Sequence, residues 1–149
     1  LNRGFGGSRT CDVLEFMDRI VLPYRPSRIV LYEGDNDLAC GASPDEVLHD
    51  VRTFVQRVHA ALPATRVYVV STKPSPSRLA LWPRVQQTNA RLKSFAEKTP
   101  NVQYIDITPV MLNPDGSMRP ELFIDDMLHM NRAGYEAWTG VIKPVLERG

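Results

Sequence analysis

The sequence has 149 residues, of which 43% are hydrophobic and 23% charged, with a formal net charge of +1. That length is most simply one domain, residues 1–149, with one substantial core. The small net charge without long like-charge runs gives no broad field for nucleic acid or an anionic bilayer, and no stretch reaches the ~20 apolar residues of a membrane span.

The chain opens at Leu1, without a methionine, and runs directly into the glycine-rich NRGFGGS (2–8). Its backbone N–H groups suit an anion nest, but it lacks the lysine and spacing of a phosphate-binding loop, which argues against a nucleotide. CDVLEFMDRIVL (11–22) reads as a helix stopped by Pro23, and SRIVLYE (27–33) as a buried strand ended by Gly34. SPDEVLHDVRTFVQRVHAAL (43–62) is the clearest helix. Ser43 and Glu46 form a capping-box pattern, with Pro44 at the first helical position. Val47, Val51, Phe54, Val55, Val58 and Leu62 recur at helical spacing as a buried stripe, which leaves His49 and His59 on the polar side.

TRVYVVST (65–72) is a second strand, followed by the proline-rich loop KPSPSRLALWP. A helix over 84–98, a strand over 102–107 and a long loop with one helical turn over 108–130 come next. NRAGYEAWTGVI (131–142) is a last helix, interrupted near Pro144. Strands with continuous apolar runs, alternating with amphipathic helices, imply an α/β fold whose parallel sheet is covered on both faces. Ligands of such sheets bind outside the carboxyl ends of the strands, here at loops 34–41, 72–83 and 108–130.

The third loop places Asp126 three residues before His129. A carboxylate there can hold the proton of one ring nitrogen and leave the other as a base; the plain alternative is that Asp126 and Asn131 cap the last helix. GDND (34–37) follows the first strand, where the Asn36 amide suits a developing oxyanion, although Gly, Asn and Asp are also ordinary turn residues. Asp35, Asp37, Asp125, Asp126 and His129 are hard-metal ligand types but lack the spacing of a calcium loop or zinc site. Cys11 and Cys40 have no metal-like spacing, so a disulfide and, with better warrant, buried free thiols remain open.

In this order the motifs resemble those of the SGNH hydrolases, also called GDSL-type esterases and lipases. NRGFGGS is similar to the family's glycine block, GDND to its Gly-x-Asn-Asp block, and DMLH (126–129) to its Asp-x-x-His block. The resemblance implies a three-layer, flavodoxin-like α/β/α fold and a serine esterase for short-chain acyl esters such as acetyl esters, with no cofactor and no metal. It makes His129 the base, Asp126 its orienting acid, and the Gly7 N–H and Asn36 amide the oxyanion donors. Arg78, Leu81 and Trp82 become candidates for lining the substrate pocket.

The family's Gly-Asp-Ser block does not occur in these 149 residues. The resemblance therefore implies a companion N-terminal segment or chain carrying the serine, about 30–60 residues for one strand–helix–strand unit. Ser8, Ser71, Ser75 and Ser77 are poorer nucleophile candidates. Two other readings are a non-catalytic binding module of the same fold and a metal-dependent hydrolase. Soluble expression in the cytoplasm and secretion fit equally well.

Overall fold

The computed structural model describes residues 1–148. Helix α1 spans Thr10–Ile20 and turns Thr10, Val13 and Met17 inward. Its first turn is held by the Asp12 carboxylate, which accepts the Arg9 N–H at 2.9 Å. Pro23 ends the helical path in a 3-10 turn, Leu22–Tyr24. Strand β1 (Arg28–Leu31) follows, then the short helix α2 (Asp35–Ala39) and the long helix α3 (Pro44–Ala61). The capping box expected from Ser43 and Glu46 forms: Ser43 Oγ accepts the Glu46 N–H at 3.2 Å, and Glu46 Oε2 accepts the Ser43 N–H at 2.7 Å.

Strand β2 (Arg66–Val70) leads through a 3-10 segment, Pro76–Leu81, into helix α4 (Trp82–Glu97). Strand β3 (Val102–Ile105), helix α5 (Thr108–Met111), a 3-10 turn at Pro120–Leu122 and helix α6 (Arg132–Arg148) complete the chain. The three strands pair in parallel in the order β1-β2-β3, with Ile29 beside Val67 and Tyr68 beside Gln103. Residues along β2 alternate between two cores. Val67 and Val69 meet α1, α3 and α4 on one face, while Tyr68 and Val70 meet α5 and α6 on the other. This is the expected three-layer α/β/α arrangement.

On β1, Arg28 and Val30 are exposed, Val30 by 45%, and the strand lies at the edge of the sheet. An apolar strand edge in that state lacks a hydrogen-bonding neighbour on one side.

Several local expectations need correction. Residues 35–39 are helical and not loop, because Asp35 and Asp37 favour a helix N-terminus and Leu38 is buried with its N–H on the Gly34 carbonyl at 3.0 Å. Pro144 does not interrupt α6. Val141, Ile142, Val145 and Leu146 pack against the second core on both sides of it, and that burial carries the helix past the missing N–H. Cys11 and Cys40 are free and exposed rather than buried or bridged, since the inward positions at the start of α1 go to Thr10 and Val13. His59 is half-buried, with Nε2 at 3.1 Å from the Thr65 carbonyl, and so is no solvated surface residue.

Candidate active site

The site is assembled at the carboxyl ends of β1 and β2. Beyond β1 the chain reverses at Gly34, whose φ is +106°. A Cβ there would lie 2.9 Å from Thr72 Oγ1, so the close approach of the two strand ends requires glycine. Thr72 Oγ1 in turn donates to the Glu33 carbonyl at 3.3 Å.

The three polar residues that follow Gly34 have separate tasks. Asp35 accepts Arg78 Nη1 at 2.6 Å and forms a short ion pair with Lys73. Asn36 donates from Nδ2 to the Ser8 carbonyl at 2.9 Å and accepts Arg78 Nη2 on Oδ1 at 3.0 Å. Asp37 is buried and accepts the Thr10 N–H at 3.0 and 3.2 Å, which ties the start of α1 to α2. The glycine loop is thereby fixed beside Asn36. Gly7 has a φ of +74° and is exposed.

The acid–base pair sits on a tight turn between Phe123 and Met130, which bridge each other and are both buried. Asp126 Oδ1 accepts the N–H groups of Leu128 and His129, each at 2.9 Å, and Oδ2 accepts His129 Nδ1–H at 2.6 Å. The bond from His129, helped by the two backbone N–H groups, pulls the carboxyl down to about 2. Asp126 is therefore ionised at neutral pH, and Nε2 is the imidazole's basic nitrogen. Asn131 anchors the turn to α6: Oδ1 accepts the Gly134 N–H at 3.1 Å, and Nδ2 donates to the carbonyls of Glu121 and Phe123. The capping role thus falls to Asn131 alone, and Asp126 points its carboxylate at the histidine.

Gly7, Asn36, Arg78 and His129 all line one groove of about 960 Å³, which runs along the β1 edge past Ile29 and Val30. The His129 side chain is 70% exposed. Glu33 also lines the groove; burial pushes its carboxyl up to about 7, against the opposing hydrogen bond that Ser8 Oγ donates at 2.8 Å.

Of the four candidate serines, Ser75 is buried with no partner for its Oγ, and the other three are engaged elsewhere. Ser8 is on Glu33, Ser71 Oγ accepts the Ile107 N–H at 3.0 Å, and Ser77 Oγ donates to the Met127 carbonyl at 3.0 Å. Three of the four aspartates suited to a metal are likewise engaged: Asp35 by two cations, Asp37 by Thr10, Asp126 by His129. Among the described residues, no group of three or more His, Cys, Asp or Glu side chains is placed to hold a metal ion.

Of the three pocket-lining candidates, Arg78 lines the groove, whereas Leu81 and Trp82 pack against the core beneath α1, α3 and α4. The Lys73–Asp35–Arg78 ion cluster was not foreseen, though a signal existed. Residues 62–96 contain no acid, so both cations needed a carboxylate from elsewhere in the chain.

The parallel sheet between two helical layers carries the carboxylate–imidazole pair and the glycine loop together beyond its carboxyl end. The sequence profile of the GDSL-like Lipase/Acylhydrolase family matches residues 1–137, and the chain belongs to that family. It is 28% identical over 137 residues to human platelet-activating factor acetylhydrolase IB subunit alpha1, covering 91% of this chain and 58% of that protein. The chain thus spans about three fifths of the length of that curated relative.

Among solved structures, a Streptococcus pneumonia protein assigned as a platelet activating factor superposes with a TM-score of 0.87 at 24% identity, over 98% of this chain and 72% of that one. A GDSL-like lipase from Bacteroides thetaiotaomicron gives 0.81 at 20% identity, over 98% and 74%. At these identities the two structures show the shared fold. Among the described residues, no helix is long and apolar enough to cross a membrane.

Proposed function

We propose that this chain supplies the acid–base and oxyanion half of a serine esterase acting on short-chain acyl esters, acetyl esters foremost. The observation that carries the reading is the ionised Asp126 carboxylate, 2.6 Å from Nδ1 of His129, which lines the same groove as Gly7 and Asn36. The acetyl preference draws support from the acetylhydrolase name of the human relative.

In this mechanism a serine hydroxyl attacks the acyl carbonyl while His129 Nε2 takes its proton. Asp126 holds the tautomer and the resulting imidazolium. The Gly7 N–H and the second N–H of Asn36 Nδ2 stabilise the oxyanion. His129 then protonates the departing alcohol, and water attacks the acyl-enzyme with His129 again as base. The serine is supplied by a strand that pairs with the free edge of β1, in a companion segment or chain. Such a strand would cover Val30, lower the exposure of His129 and bring a nucleophile to the carboxyl end of the sheet.

Replacing His129 with Ala in the full natural protein is expected to cut turnover of a p-nitrophenyl acyl ester by at least 10³-fold, on the scale seen when a triad member is removed. The melting temperature should barely move, because the side chain is 70% exposed. Turnover equal to wild type would remove His129 from the reaction. A non-catalytic binding module is the second reading, favoured by the engagement of Ser8, Ser71 and Ser77 with partners other than His129.

A further inference from the structure

One short turn contacts both halves of the site. Arg78 N donates to the Ser75 carbonyl at 2.9 Å, closing a turn that Pro74 and Pro76 stiffen from either side of Ser75. Ser77 reaches one way: its backbone N–H and its Oγ both donate to the Met127 carbonyl, at 3.1 and 3.0 Å. Met127 lies inside the acid–base turn, between Asp126 and His129, with a φ of +55°. A left-handed conformation is unusual for a residue with a side chain, and the two bonds from Ser77 help to hold it.

Arg78 reaches the other way. Its Nη2 donates to Asn36 Oδ1 at 3.0 Å, while its Nη1 is locked on Asp35 at 2.6 Å. An amide whose oxygen is taken by a guanidinium can present only its NH₂ end to the groove. One of those N–H bonds goes to the Ser8 carbonyl at 2.9 Å, which leaves the second for an oxyanion. Arg78 is only 20% exposed at its side chain, and its planar fork is committed to protein acceptors. These contacts do not suit a residue that meets substrate.

We infer that the turn over residues 75–78 is a positioning element that sets the oxyanion donor and the acid–base pair in register. Arg78 orients the Asn36 amide, and Ser77 fixes the Asp126–His129 turn through the Met127 carbonyl. The inference rests on the esterase reading for its catalytic meaning, but the Arg78–Asn36 contact is testable without it. Orientation of this kind acts on the transition state more than on substrate affinity, since the ground-state carbonyl makes weaker demands on the donor.

The test uses the full natural protein and four variants: Arg78→Met, Arg78→Lys, Asn36→Ala, and Arg78→Met combined with Asn36→Ala. With p-nitrophenyl acetate, Arg78→Met is expected to lower kcat about 10–100-fold with KM within about threefold, a positioning residue losing somewhat less than a direct donor. Arg78→Lys keeps the charge but loses the fork, and should recover only part of that rate. The double variant should be no slower than Asn36→Ala alone, as for residues acting through one another. A raised KM at constant kcat, or losses that multiply in the double variant, would overturn the inference.

The second readout is the Asn36 side-chain NH₂ pair in a ¹⁵N–¹H spectrum, assigned by its disappearance in Asn36→Ala. It should shift in Arg78→Met, while the pair from Asn89, which is bonded to both the N–H and the carbonyl of Thr72, stays in place as a folding control. An unmoved Asn36 pair contradicts the positioning contact even if no esterase turnover is found. A wild-type protein without turnover defeats the esterase reading alone.

Discussion

Glu33 lines the groove and Asp126 is bonded to the groove residue His129, and their surroundings push the two carboxyls in opposite directions. Asp126 is 43% exposed, yet three N–H donors from its own turn hold it in the charged form, down to about 2. Glu33 has one hydroxyl donor and is shielded from water, so burial takes it up to about 7. Below the ordinary carboxylate value, near 4.5, Glu33 is protonated both folded and unfolded and carries no pH-dependent penalty. Between 4.5 and 7 the unfolded chain ionises first, so stability falls as pH rises through the folded value.

Glu33→Gln removes that loss and keeps an oxygen for Ser8. Its melting temperature should match wild type at pH 4 and exceed it at pH 8 by an amount corresponding to about 1–3 kcal/mol, after allowance for the groove's openness. Thermal melts at the two pH values decide it, and equal shifts at both would contradict a buried, protonated Glu33. Nothing in the sequence distinguished Glu33 from a strand-end acid, because its perturbation comes from walls contributed by distant elements.

At the scale of elements, α6 carries the strictest packing demand near the site. A Cβ on Gly134 would lie 2.5 Å from the Leu122 carbonyl and 2.9 Å from Met130 Cβ. The helix therefore presses directly on the turn that supports His129. Gly134→Ala should destabilise the fold by about 1–3 kcal/mol through overpacking, and should move the His129 imidazole resonances. A melting temperature at or above wild type would mean that the helix and turn separate easily.

The sequence was most legible where local chemistry and burial agreed. Ser43, Pro44 and Glu46 announced the start of α3, and its apolar stripe marked the buried face. It was least legible where they disagreed: Asp35–Ala39 opens with turn residues but is held helical by the burial of Leu38, and α6 continues through Pro144 because its partly buried flanks pack against the second core. Neither outcome is encoded in the window where the misleading residues lie.

For the molecule as a whole, the layer order and the positions of Gly7, Asn36, Asp126 and His129 at one end of the sheet followed from the order of strands and motifs. The ties among them did not. Arg78 bonds Asn36 across 42 positions, and Ser77 bonds Met127 across 50, distances over which one sequence holds no readable pairing signal. The free edge of β1 is the feature with the largest consequence. It exposes Val30 and opens the groove beside His129, so one strand could both complete the sheet and deliver the nucleophile.

The most direct test is a fluorophosphonate probe applied to the full natural protein, with the adduct located by peptide mass spectrometry. One adduct is expected, on a serine outside residues 1–149, and it should be lost in His129→Ala. No adduct, or one on Ser8, would contradict it: either the acid–base pair has no nucleophile to activate, or the nucleophile lies where this account places only a support for the oxyanion donor.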